Sequence, residues 1–416
     1  MIEARPQSGF YVRLPPGRLP LEPEESQPPV RARPVALGDL VARFQQAARD
    51  PACVGLGTAL VHPALLPIRA LHRTLAAVGR HSPQLANSYD VAPGSLALRV
   101  QIARRAFASG CTLAPEDLIV TNGCQEALQL CLRAVARAGD TIGIESPTYF
   151  GLLQSLETLG LRACQLPTRA REGLCLEGLE ARLDRCRIKA VLLMPNFGNP
   201  LGACLPDAKK QKLVRLLAAR GVPLIEDDIY GELAFAPARP HTAKAYDRDG
   251  LVLLCSSFSK TLAPGYRIGW VAPGRYRHQV TRLKYLSSIG TASVLQLAVA
   301  DFLAHGGFDH HLRRLRRACA EQVARTTDAV ACHFPAGTKV TRPAGGYILW
   351  VQLPPHVDAV ALFERAWAER ISIAPGPLFA ADGGFRNYLR LNCGLPWSDQ
   401  VERAIARLGQ LTAKRL

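Results

Sequence analysis

The chain has 416 residues, 48% hydrophobic and 20% charged, the balance of a folded globular protein long enough for two folding units and not of a disordered one. Its net charge of +17 is carried by scattered arginines and reads as solvated surface, which leaves the cluster "HHLRRLRRAC" (310–319) as the one candidate polyanion contact. No apolar run approaches the roughly 20 residues needed to span a bilayer and no secretory leader pattern opens the chain, as expected of a soluble, cytoplasmic protein.

The twelve cysteines form no Cys-x-x-Cys pair and join no histidine at zinc-finger spacing, so reduced core thiols are expected and no metal site. At the amino end, "MIEARPQSGFYVRLPP" reads as two short extended runs joined by Gln7-Ser8-Gly9, a hairpin. The proline-rich stretch that follows makes residues 1–34 an arm or linker. "GLGTAL" (55–60) approaches a dinucleotide fingerprint but lacks its third glycine, and is a loop.

From about residue 115, short apolar runs alternate with helical periods. "DLIVTNG" (117–123) is a predicted strand, and "CQEALQLCLRAVARAG" after it has helical spacing. "DTIGIES" (140–146) is the next strand. "LEGLEARLDRC" places Leu176, Leu179 and Leu183 on one helix face before the strand "KAVLLMP" (189–195). "DAKKQKLVRLLAARG" is a helix stopped by Gly221. Strands at 222–228, 250–257 and 268–273 complete a pattern that specifies a mainly parallel sheet covered by helices on both faces. After about 305 a long basic helix precedes "AGGYILWVQLP", a helix near 358–370, "ISIAPG", "YLRLNCG" and a final helix from 398, the makings of a smaller α+β unit. The expected division is 76–304 for the large α/β domain, and 35–75 with 305–416 for the small one.

In open parallel sheets ligands bind beyond the carboxyl ends of the strands. The residues just past those ends are Asn122-Gly-Cys-Gln125, Pro147-Thr-Tyr149, Asn196 to Asn199, Asp227-Asp-Ile-Tyr230, and Ser257-Phe-Ser-Lys260 followed by Arg267. A lysine, carboxylates, amides, phenols and a phosphate-type helix start are the groups that hold an aromatic aldehyde phosphate. Lys260 ends an apolar run, and burial beside other cations favours its neutral, nucleophilic amine.

In the order and spacing of these motifs, from about residue 53 to the C-terminus, the sequence resembles the class I/II aminotransferases. These are fold-type-I enzymes dependent on pyridoxal 5′-phosphate (PLP), with a seven-stranded-type, mainly parallel sheet and a smaller domain. The resemblance implies a Schiff base between Lys260 and PLP, with Lys260 later serving as the base that moves the α-proton. It implies that Gly123, Cys124, Gln125, Ser257 and Arg267 hold the phosphate, and that Asp227 pairs with the pyridine nitrogen. Tyr230 and Asn199 would reach the ring oxygen, and Tyr149 would stack on the ring. Arg390, with Asn199 beside it, would take the substrate carboxylate. Tyr89 would reach the phosphate of a neighbouring subunit, which implies a homodimer. Cys124 stands where the family usually has Ser or Thr, and Leu201 where threonine is more frequent.

The implied activity is transfer of an amino group between an L-amino acid and a 2-oxo acid. Racemase, lyase and decarboxylase chemistry share the same scaffold. The spacing Ser257-x-x-Lys260 also fits penicillin-recognising enzymes, but their Ser-Asp-Asn and Lys-Thr-Gly tripeptides do not occur. The amino-terminal hairpin resembles the last wing of a GntR-type winged-helix domain, as found ahead of aminotransferase-like domains in MocR regulators. An alternative is therefore a PLP-binding, effector-sensing module, with DNA as a partner only if a winged helix precedes this chain.

Overall fold

The computed structural model describes residues 20–305 and 307–413, together with the backbone of residues 2–5 and 9–12. At its centre lies a sheet whose seven main strands run in the order Arg162–Arg169, Thr141–Ser146, Ile188–Leu193, Leu224–Asp227, Val252–Ser257, Gly269–Ala272 and Ile119–Thr121. The first five are parallel, and Gly269–Ala272 is antiparallel to both of its neighbours. Two short strands, Arg33–Pro34 and Gly173–Leu174, extend the sheet along Arg162–Arg169. Helices cover both faces, so these strands carry near-continuous apolar runs, such as Val191, Leu192 and Leu193, all buried.

The strand Arg162–Arg169 has no counterpart in the sequence reading, which passes from Ser146 to Leu176. Its sequence "RACQLPTR" contains Pro167, which cannot donate to a ladder, and a buried Gln165, so it lacks the apolar run that marks its neighbours. The proline is tolerated here because only short strands lie on its outer side.

A second sheet, antiparallel throughout, pairs Lys339–Val340, Ile348–Gln352, Tyr388–Asn392 and Ala374–Pro375 in that order. Helices Gly307–His333, Ala359–Ala368 and Asp399–Ala413 pack around it. The first of these has 27 residues and at 1.5 Å per residue is about 40 Å long. Its arginines do not all lie on a wet face. Arg313, Arg314 and Arg317 are exposed, but Arg316 turns inward and donates from Nε to the Glu232 carbonyl at 2.6 Å while pairing with the Glu232 carboxylate at 3.3 Å.

Residues 20–34 run from one sheet to the other. The Leu21 carbonyl accepts from Val340 N at 2.8 Å, and Glu24 pairs with Lys339 at 2.7 Å. Ser26 exchanges bonds with Thr168, its N–H donating at 2.9 Å and its Oγ accepting at 2.8 Å. The Pro28 and Ala32 carbonyls accept from Arg182 and Arg162 at 3.0 and 2.9 Å. Nearer the amino end, Ile2–Arg5 and Gly9–Val12 pair antiparallel, with Ile2 opposite Val12. All twelve cysteines are free thiols. Among the described residues no helix is long and apolar enough to cross a membrane, and no group of His, Cys, Asp and Glu could hold a metal ion.

One apolar core runs beneath both sheets, with a second under the outer half of the large one. Ile225, at 0% exposure on a central strand, belongs to the first. Ile225→Ala is expected to destabilise the protein by about 2–5 kcal/mol through lost burial and the cavity left behind. In a denaturant titration this appears as a lowered midpoint with an unchanged slope.

Candidate active site

Every parallel strand of the large sheet delivers its carboxyl end to the same edge, and there a cavity of about 250 Å³ opens. Its wall includes Cys124, Gln125, Tyr149, Asn199, Asp227, Tyr230, Lys260, Arg267 and Arg390, nine of the twelve residues singled out from sequence. A larger groove of about 490 Å³ lies between helices Cys124–Val135 and Arg277–Ser288, but it gathers none of these groups.

Asp227 ends its strand and faces the cavity, fully buried. Its Oδ1 accepts from the Ile229 N–H at 3.1 Å and from the Cys124 thiol at 3.3 Å. Burial pushes its carboxyl up to about 7, against the pull of those donors. The next residue points the other way: Asp228 is ion-paired with Arg239 and accepts from Asn196 Nδ2 at 2.8 Å. Alternation along an extended segment thus separates two adjacent carboxylates by role.

Lys260 lies in the turn after strand Val252–Ser257, one strand over from Asp227. Its Nζ donates to the Ala59 carbonyl at 2.7 Å and sits 5.9 Å from the centroid of the Tyr230 ring. Burial, then the neighbouring Arg390 charge, lower its pKa to about 8. Tyr230 is buried edge-on to Tyr347, with ring centroids 5.6 Å apart, and burial raises its phenol.

An anion cradle forms where helix Cys124–Val135 begins. Gly123 caps the helix at φ +82° with no side-chain acceptor, which leaves the first-turn N–H groups facing outward at the positive end of the dipole. A Cβ on Gly123 would run into the Arg267 guanidinium, and one on Gly269 into the Gly123 and Cys124 backbone, so both glycines permit a close approach. Arg267 donates to the Asn122 carbonyl at 3.2 Å and to Ser259 Oγ at 3.4 Å. Gln125 is tied back to Ser155 Oγ at 2.7 Å.

Arg390 comes from the small sheet, at 1% exposure. Its Nη1 donates to Asn199 Oδ1 at 3.0 Å and its Nη2 to the Gly57 carbonyl, while its Nε is buried without a partner. Tyr149 precedes helix Phe150–Thr158, with its ring folded over Gly151.

Three of the twelve residues do not line the cavity. Ser257 lies behind it, its Oγ accepting the Ser259 N–H at 3.2 Å, and Ser259 takes the wall position instead. The strand ends at Ser257, so the turn that follows decides which hydroxyl faces inward. Tyr89, which the resemblance assigns to a neighbouring subunit's phosphate, is 86% exposed and does not line the cavity of its own chain. Gly123 contributes backbone only, behind the Arg267 guanidinium. The sequence reading did not single out Phe44, Leu128, Phe150, Met194 and Ile229, which also line the cavity. Thr58, Ala59 and Leu60 line it too, from the loop "GLGTAL", which the family resemblance places near the substrate entrance.

These groups fit PLP. A buried carboxylate whose hydrogen-bond donors among the described residues are a thiol and an amide lacks a cationic N–H partner, which a pyridinium nitrogen supplies. A helix start beside Ser259 and Arg267 suits a phosphate. A lysine with a lowered pKa suits an aldehyde.

Residues 63–408 match the family described as aminotransferase class I and II. YdcR of Escherichia coli K12, described as an uncharacterized HTH-type transcriptional regulator, is 41% identical over 100% of this chain and 88% of its own length. The 2-aminoadipate transaminase of Thermus thermophilus is 30% identical over 86% of this chain and 90% of the relative. Among solved structures, the Pyrococcus horikoshii kynurenine aminotransferase in complex with PMP superposes with a TM-score of 0.83 at 27% identity, covering 89% of this chain and 93% of that one. With the family match, the whole-chain alignment and the strand-end constellation in agreement, this chain is a member of the class I and II aminotransferases, the PLP-dependent enzymes of fold type I.

Proposed function

We propose that this protein transfers an amino group from an amino acid to a 2-oxo acid with PLP as its cofactor. One observation carries the reading: a single cavity joins a lysine of pKa about 8, a buried carboxylate short of a cationic partner and a buried arginine with an idle Nε. PLP, when bound, supplies an aldehyde for an amine to attack and a ring that withdraws electrons. The residues of this chain do the rest.

Lys260 Nζ, its pKa lowered to about 8, becomes neutral as the pH rises through that value and would then be the nucleophile toward the aldehyde. With a substrate amine in its place, the same Nζ would be the base that holds and moves the α-proton. Asp227 would hold the ring N–H and favour its protonated form. The Cys124 and Gln125 N–H groups, Ser259 and Arg267 grip the phosphate, with Ser257 buttressing Ser259 from behind. Tyr230 and Asn199 serve the ring oxygen, and Tyr149 covers the ring face. Arg390 clamps the substrate α-carboxylate, which replaces the Gly57 carbonyl on its guanidinium and satisfies Nε.

A homodimer in the cytoplasm is part of this reading. Tyr89, Val91, Tyr285, Leu286 and Ile289 are all exposed, and Val91 bridges Gly290 while Ala92 N donates to the Ile289 carbonyl at 3.3 Å. That continuity makes one apolar patch, suited to a second copy of the chain. Tyr89 projects from it and is available to the neighbour's phosphate cradle.

A second reading is favoured by the relative YdcR, an HTH-type transcriptional regulator aligned over this entire chain. On that reading the same site senses an amino acid and signals to a DNA-binding segment. The residues of the cavity serve both. Sustained turnover of an amino acid with a 2-oxo acid supports the enzyme, whereas one spectral change per site without turnover supports the sensor.

Lys260→Ala is expected to abolish covalent uptake of PLP, read as the mass added after borohydride reduction; an unchanged adduct in the variant removes Lys260 from its role. In the wild type the rate of that uptake should climb as pH rises and level off above about 8, because only the deprotonated amine attacks. A rise continuing toward pH 10.5, the ordinary value for a lysine, would mean that the cavity does not depress the amine. Sedimentation should find the wild type dimeric and Leu286→Asp monomeric, since a carboxylate in the apolar patch would be desolvated without a partner.

A further inference from the structure

Once the groups given to the cofactor and to the substrate carboxylate are set aside, the remaining cavity wall is apolar. It is built from Phe44, Leu60, Leu128, Phe150, Met194 and Ile229, with Thr58 and Ala59 between them. Three cations line the cavity, and each already has a place. Arg267 is at the helix start with Asn122 and Ser259, Lys260 is beside Tyr230, and Arg390 is on Asn199.

The apolar wall begins next to the carboxylate clamp. The Arg390 guanidinium lies 5.1 Å from the centroid of the Phe379 ring. Phe379 meets Phe150 edge-on at 6.1 Å, and Phe150 meets Phe44 edge-on at 5.5 Å. A substrate anchored on Arg390 thus extends its side chain along aromatic edges and not toward another guanidinium. The cation adjacent to Phe44 on its helix, Arg43, pairs with Glu364. A second carboxylate on the substrate would lose its water against this wall and gain no partner among the described residues, whereas a hydrocarbon side chain gains from its own burial.

We propose that the amino donor carries an apolar side chain, aliphatic or aromatic, and that Phe44 and Phe150 set this preference. The inference rests on the aminotransferase reading of the same site. It follows from the absence of a free cation on the side-chain half of the cavity among the described residues. Phe44 reaches that half from helix Leu40–Arg49, and Phe150 from the start of helix Phe150–Thr158.

The test is calorimetric titration of the PLP-loaded protein with carboxylates that occupy the clamp but cannot react: 4-methylpentanoate, 3-phenylpropionate and glutarate. At least one of the apolar acids should bind about tenfold or more tighter than glutarate, the discrimination expected of a hydrophobic pocket. Glutarate binding as tightly as both apolar acids, or tighter, overturns the proposal. Phe44→Leu and Phe150→Ala should each narrow the gap several-fold while acetate, which reaches only Arg390, keeps its affinity. An unchanged gap in two variants with native circular dichroism removes these residues from the role, and if either variant does not fold, the wild-type ranking alone decides. Failure of the protein to hold PLP covalently at Lys260 would instead sink the aminotransferase reading, a result visible in the absorbance spectrum before any acid is added.

Discussion

The Asp227 carboxylate and the Lys260 amine share a cavity that removes most of their water, and neither is offered full compensation by the protein. Burial drives the acid toward protonation and the amine toward neutrality, so both sit near 7 to 8 instead of at their ordinary values. This shared desolvation is what makes the site chemically useful: an amine that is nucleophilic near neutral pH, and a carboxylate that has reason to accept a cationic N–H. The parallel sheet enforces it. Register pairs Asp227 with Cys255, two residues before the neighbouring strand ends at Ser257, so both carboxyl ends open on the same edge of the sheet.

Around that pair, the rest of the structure supplies grip. The phosphate-type cradle exists because Gly123 and Gly269 let two backbones and a guanidinium approach more closely than any side chain would allow. The carboxylate clamp joins parts of the chain far apart in sequence: Arg390 from the small sheet, Asn199 past a strand of the large sheet and Gly57 from the loop that follows strand Val54–Gly55. Arg390 is therefore held in place by two acceptors while its Nε is buried without a partner, which is the basis for proposing it as a carboxylate clamp. Residues 20–34, bonded to both sheets, tie together the two bodies that furnish these halves.

Cys124 touches the chemistry of the site through Asp227. Its thiol donates to Asp227 Oδ1, a weaker donor than a hydroxyl would be, so the carboxylate is less stabilised in its charged form. The thiol is itself buried, and its pKa is driven well up by that burial, which keeps it a hydrogen-bond donor and not a nucleophile.

Much of the site could be read from local order alone. Asp227, Tyr230, Lys260 and the Gly123 to Gln125 turn each end or follow within three residues a short apolar run read as a buried strand, and residues in that position collect at the ligand edge. Asp227 was singled out over Asp228 by its three-residue step to Tyr230 in the family resemblance, and it is Asp227 that lines the cavity while Asp228 pairs with Arg239. Three things were not legible. The strand Arg162–Arg169 was hidden because Pro167 and Gln165 break the apolar pattern that its neighbours rely on. The exchange of Ser259 for Ser257 on the wall depends on how a turn rotates, a matter of a few dihedral angles that composition does not report. The wall of Phe44 and Phe150 joins side chains separated by more than a hundred residues, each an ordinary core aromatic when read alone. Sequence by itself determined the chemistry, since residue types at strand ends fix which reactive groups are present. Tertiary structure alone decided what those groups are turned toward, because burial, pairing and exclusion of water arise only where distant segments meet.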